Sequence, residues 1–260
     1  MRDFQVVEAN LREAMRFFGE ATGAGEVREL DGLLAIYSGL NYGVFNIGML
    51  DGAPGPDSFE SRLTACARYF ERHQARWSFW LCEDLLPALE LRQARWALSS
   101  LGLRQISTAP GMIARALAPP RRALPRIECV PVTDAPTRRA FGGITATCFD
   151  IPLNVARDIY ESERAWHGAY RGFLGFVEGE PVSIVALVAG AGSLGVYSLA
   201  TLPGARRQGY GEALLRAAVA MEDQRTGVER LVLQSTEAGH ALYQRLGFRE
   251  VTRFSVYLTK

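Results

Sequence analysis

One stretch restricts the fold of this 260-residue chain more than any other: Gly195-Val-Tyr-Ser-Leu-Ala-Thr-Leu-Pro-Gly-Ala-Arg-Arg-Gln-Gly-Tyr-Gly-Glu-Ala-Leu-Leu-Arg216. Val196 to Thr201 is β-prone and Pro203-Gly204 interrupts it. Arg206-Arg207-Gln208-Gly209-Tyr210-Gly211 then runs into Leu214, Leu215, Ala218 and Val219 at helical spacing. The stretch predicts a strand, a glycine-rich loop and a helix in succession. Such a loop presents free N–H groups at the positive end of a helix, and the bare Cα atoms of Gly209 and Gly211 admit a phosphate close to the backbone. It suits a pyrophosphate.

A second pattern follows at short distance. Arg230-Leu-Val-Leu-Gln234 reads as a strand and His240-Ala-Leu-Tyr-Gln-Arg-Leu-Gly-Phe248 as a helix closed by glycine. A glycine-rich turn alone is also an ordinary tight connection, and Tyr243 alone an ordinary packing aromatic. Together, the Arg206-x-x-Gly209-x-Gly211 loop and the helical Leu-Tyr-x-x-Leu-Gly-Phe segment resemble the two signatures of the GNAT N-acetyltransferase superfamily, over Ile127 to Lys260.

The resemblance implies an α/β fold with a mixed central sheet flanked by helices, acetyl-CoA as co-substrate, and no metal. It implies that the backbones of Leu199, Ala200 and Thr201 hold the pantetheine. The loop Arg206, Arg207, Gln208, Gly209, Tyr210, Gly211 and Glu212 would hold the pyrophosphate, with charge-assisted contacts from Arg206 and Arg207. Tyr243 would protonate the departing thiolate, since a phenol with a reference pKa of about 10 is protonated at neutral pH. The implied activity is acetyl transfer to a primary amine of a small molecule or peptide by direct attack. The alternative is a non-catalytic acetyl-CoA binder with a regulatory or partner-binding role. No carboxylate stands in Val196–Thr201, so the general base is open among Asp150, Glu161, Glu163 and water. Cys148 beside Asp150 lacks a neighbouring His and reads as a small hydrophobe rather than a nucleophile.

The first half repeats the element order in worn form. Asp3–Phe18 has helical periodicity and residues 26–38 and 43–50 read as strands. A helix capped at Asp57-Ser58, a strand at 77–82, a helix over 85–100 and extended structure at 104–117 follow. Leu98-Ser-Ser-Leu-Gly-Leu-Arg104 aligns with Tyr243-Gln-Arg-Leu-Gly-Phe-Arg249, so Leu98 stands where the tyrosine should be. Residues 50–58 place two prolines where loop donors are needed. The expected architecture is therefore tandem GNAT-like (acyl-CoA N-acyltransferase) domains. Residues 1–117 would be degenerate and non-catalytic, forming one wall of the acceptor site; 118–126 would be a proline-rich linker; and 127–260 would be the catalytic unit, which in isolation should keep much of its CoA affinity yet lose acceptor selectivity or activity.

Other classes fit poorly. The Gly190-Ala-Gly192-Ser-Leu-Gly195 run matches a dinucleotide fingerprint, yet it precedes a β-prone segment instead of opening a helix, so the glycines predict a hairpin turn. The Arg206 loop lacks the Gly-Lys-Ser/Thr of a P-loop. With 29 Lys+Arg against 28 Asp+Glu, no global field draws nucleic acid or an anionic membrane. The four cysteines and three histidines are scattered, giving neither a disulfide framework nor a zinc site. The acidic start and the lack of a long apolar run lead to the expectation of a soluble, cytoplasmic protein. Oligomeric state is not written in the sequence.

Overall fold

The computed structural model describes residues 1–30, 32–52 and 58–260. The first half contains α1 (Asp3–Glu20), β1 (Glu26–Leu30), β2 (Leu33–Tyr37), β3 (Ile47–Leu50), α2 (Phe59–Arg72), β4 (Ser78–Cys82), α3 (Ala88–Ser100) and β5 (Leu103–Ala114). The second contains β6 (Glu128–Pro131), α4 (Ala135–Phe149), α5 (Leu153–Tyr160), β7 (Tyr170–Val177), β8 (Glu180–Gly190), β9 (Ser193–Thr201), α6 (Tyr210–Thr226), β10 (Leu231–Gln234), α7 (Glu237–Arg245) and β11 (Arg249–Thr259). Ser58 caps α2 by accepting a hydrogen bond from the Ser61 amide at 3.2 Å. Asp57 and both prolines of the 50–58 stretch lie outside the described residues.

The repeat is visible in the backbone. β3 and β4 pair in parallel around α2, as β9 and β10 do around α6. α3 and α7 both lead into a glycine with positive φ, Gly102 at +80° and Gly247 at +93°, before the strand that follows. Only glycine takes this left-handed corner cheaply, which explains the matching Leu-Gly in the two halves.

The eleven strands of the described residues form one sheet in the order β1-β2-β3-β4-β11-β5-β10-β9-β8-β7-β6. At its centre each half inserts its last strand into the other: β11 lies between β4 and β5, and β5 between β11 and β10. Residues 118–126 carry no strand or helix, but the sheet runs unbroken across the two halves they connect. Residues 127–260 alone lack β5, the strand that joins β10 to β11.

α1 binds the halves together on one face. Its stripe of Val7, Leu11 and Met15 packs on Ile36 and Met49 of the first half and on Val232 and Phe254 of the second. Asn10 on the same helix donates from Nδ2 to the carbonyls of Val188 and Gly190, both at 3.0 Å, and its Oδ1 accepts from the Tyr197 hydroxyl at 2.7 Å. A Cβ on Gly195 would overlap that Oδ1. The last glycine of the false dinucleotide fingerprint therefore has a packing reason, while Ala191 and Gly192, both at positive φ, turn the β8–β9 hairpin.

Glu8, one turn before Arg12, is buried with its carboxylate 2.7 Å from the Arg12 Nε. Burial outweighs the arginine and pushes the acid up from 4.5 to about 7. A folded state that holds the proton more tightly than the unfolded chain loses stability as pH rises through this window. Replacing the acid by its neutral isostere removes that loss. In urea melts at pH 4.5 and 8, the Glu8→Gln variant is expected to gain about 3 kcal/mol on wild type between the two pH values. A pH-independent difference would contradict the assignment.

Candidate active site

The site is built at the C-terminal end of β9. β9 pairs with β10 only as far as Gly195 opposite Val232, whereas it stays on β8 to Thr201 opposite Ser183. Residues 196–201 thus leave the parallel partner, and a wedge opens between β9 and β10. Within it, two β9 residues oppose Val185, because Ile184 faces Ala200 while Ala186 already faces Tyr197. This is a β-bulge at Ser198-Leu199, and Ser198 takes the left-handed conformation at φ +50°. The bulge releases backbone groups of Ser198 and Leu199 from the regular ladder.

The glycine loop follows directly. The Arg206 Nε donates to the Thr201 carbonyl at 2.9 Å and Gln208 Nε2 to the Gly204 carbonyl at 3.2 Å, so both side chains brace the loop. Arg207 and Gly209 have positive φ, and Gly209 is the N-cap of α6 with no side chain to occupy the first-turn amides. A Cβ on Gly211 would lie 3.0 Å from Thr201 Oγ1, so this glycine lets the helix start against the strand. The Glu212 carboxylate is held by Arg216 at 2.8 Å, leaving the backbone amide as its contribution.

Arg122, in the proline-rich segment, escaped the sequence reading. A Cβ on Gly209 would lie 3.0 Å from Pro125 Cδ and 3.5 Å from an Arg122 guanidinium nitrogen, so the segment passes over the loop and brings a third arginine to it. Its neighbour Ala118 is held by a hydrogen bond from Arg216 to the Ala118 carbonyl. Only the Arg121-Arg122 pair beside the prolines hinted at this role.

Tyr243 lies in α7, capped by Thr236, with its ring edge-on to Phe248 at 5.7 Å between centroids. It joins the cluster of Leu214, Leu215, Leu233 and Leu246. Burial pushes its phenol up to about 12, so it is protonated at neutral pH. In the first half, Leu98 on α3 is fully buried in an apolar cluster with no proton to give.

On the other side of the bulge is a cavity of about 350 Å³ shared by the halves. Phe18, Tyr42, Phe45 and Trp80 come from the first half and Tyr160, Tyr170 and Tyr197 from the second. Their spread along the chain hid this grouping from sequence reasoning. Ser198 sits at its edge, sharing a 2.9 Å hydrogen bond with the Tyr170 hydroxyl. Burial holds the phenols of Tyr160, Tyr170 and Tyr197 above their usual range.

The candidate bases are not in this lining. Glu161 faces Arg157 at 3.4 Å and Arg139 at 3.8 Å, and Glu163 faces Arg138 at 3.8 Å and His167 at 3.7 Å. Asp150 closes α4 in the left-handed conformation and is exposed, although its neighbours Phe149 and Ile151 line the cavity. Cys148 donates to the Thr201 carbonyl at 3.5 Å. Among the described residues no group of three or more His, Cys, Asp or Glu is placed to hold a metal, and no helix is long and apolar enough to cross a membrane.

Residues 166–250 match the model of the acetyltransferase (GNAT) domain. The fold is similar to a GCN5-related N-acetyltransferase from Kribbella flavida, with a TM-score of 0.69 at 18% identity over 98% of this chain and 95% of that one. It is also similar to a tandem GNAT protein from the clavulanic acid biosynthesis pathway (TM-score 0.58, 13% identity, 98% and 93% covered). A third likeness is a GCN5-related N-acetyltransferase from Sphaerobacter thermophilus (TM-score 0.54, 19% identity, 88% and 76% covered). No curated protein matches the sequence.

Proposed function

We propose that this chain, whose C-terminal half carries a GNAT acetyltransferase domain, moves the acetyl group of acetyl-CoA to a primary amine of a small molecule or peptide by direct attack. The observation that carries this reading is the meeting of three features at one end of β9: the wedge toward β10, the bulge at Ser198-Leu199 and the amide-lined loop before α6.

Each feature has a task. The open edge of β9 at Leu199–Thr201 offers backbone groups to an extended pantetheine, as a sheet edge does to an added strand. The amides from Arg207 to Gly211 face the pyrophosphate, with Arg206, Arg207 and Arg122 adding positive charge. Acetyl-CoA supplies an acyl carbon already activated as a thioester. A neutral amine attacks that carbon, the C–N bond forms as the C–S bond breaks, and the amine proton leaves to solvent. An N–H at the bulge stabilises the oxygen while it carries charge. Tyr243 donates its hydroxyl proton to the departing sulfur and regains one from water.

The first half has Leu98 in the tyrosine's place and serves this site through α1, the 42–45 segment and Trp80. Calorimetric titration tests this division: one CoA per chain is expected, with a micromolar Kd. Two equivalents per chain would give the first half a site of its own.

A further inference from the structure

The shared cavity has a chemistry of its own. Among the described residues its lining contains no carboxylate, lysine or arginine. Its body is aromatic, and its mouth includes the exposed apolar side chains of Val44 and Phe149. Thr145 on α4 also lines it; the residue is 1% exposed and its Oγ1 has no hydrogen-bond partner. A buried hydroxyl left unpaired is destabilising, and a ligand that bonds it removes that cost.

From this we infer that the acceptor is a small primary amine on an aromatic or other apolar body, rather than a polyamine, an amino sugar or a peptide lysine. The inference rests on the acetyl-transfer reading and names its substrate class. Desolvating a second ammonium, or a set of sugar hydroxyls, against Tyr42, Phe45 and Trp80 would leave polar groups without partners. A flat apolar body instead covers those rings, and its amine reaches Thr145 Oγ1 and the Ser198–Tyr170 pair at the bulge. With no carboxylate in the lining, the amine enters uncharged after losing its proton to water. The rate should therefore rise with pH as the amine itself deprotonates.

The test compares kcat/KM for phenethylamine, spermidine, glucosamine and a lysine-containing peptide, using wild type, Thr145→Val and Phe149→Asp. Phenethylamine should lead by at least about 10-fold. Phe149→Asp, at the exposed rim, should lower its kcat/KM about 10-fold, and Thr145→Val should raise its KM several-fold, both with CoA affinity unchanged. A lead for spermidine, glucosamine or the peptide would overturn the inference and leave acetyl transfer standing. So would a Phe149→Asp protein that changes the choice between acetyl- and hexanoyl-CoA but not the choice of amine, because the cavity would then house an acyl chain. If no amine is acetylated, calorimetry with 2-phenylethanol separates the two ideas. Binding that Phe149→Asp abolishes would keep the cavity assignment while acetyl transfer falls, and no binding to wild type would overturn the assignment itself.

Discussion

Tyr243→Phe is expected to lower turnover about 10²-fold while leaving CoA affinity unchanged, the usual contribution of one general acid. The substitution isolates the hydroxyl. The ring packs edge-on to Phe248 and among Leu214, Leu233 and Leu246, and phenylalanine keeps those contacts. Because burial pushes the phenol up to about 12, its proton is present throughout the neutral range, and Tyr243 should add no titration to the pH–rate profile below about pH 10. Equal turnover in the two proteins would mean that water protonates the thiolate and that Tyr243 only packs.

Gly209→Val should weaken CoA binding by about 10²-fold or more, the cost of losing several charge-assisted contacts together. Two effects combine. At φ +98° a β-branched residue is strained, and its Cβ would press on Pro125 Cδ at 3.0 Å, pushing away the segment that carries Arg122. The loop would then lose both its shape and its third arginine. Arg122→Ala isolates the second effect and should cost a smaller factor, about 10-fold. A folded Gly209→Val protein with unchanged CoA affinity would remove the loop from the site.

Local signals made most of the elements legible. Ser58 before α2, the Ala191-Gly192 turn between β8 and β9 and Gly247 after α7 each fix a chain direction with residues close in sequence, and the predicted elements follow them. Even the worn repeat could be read from Leu101-Gly102 and Leu246-Gly247, because both corners need the same left-handed glycine. The strand exchange could not be read. β5 and β11 have the same β-prone pattern whether they close their own half or the other, and only packing across about 150 residues decides between them. The site divides likewise: the loop and Tyr243 belong to local motifs, whereas Tyr42, Trp80 and Tyr160 meet only through the shared sheet and α1. Arg122 reads as linker because nothing in its own segment shows that Gly209 lies beneath it.

The central claim is that this protein transfers an acetyl group and does more than bind its carrier. Thiol release from acetyl-CoA, followed with the amine panel and paired with mass spectrometry of the amine, measures this directly. The account predicts one free CoA thiol for each acetylated amine, at a rate that falls about 10²-fold in Tyr243→Phe. CoA bound by the wild-type protein with no amine-dependent thiol release would contradict it, and would make the chain a non-catalytic acetyl-CoA binder.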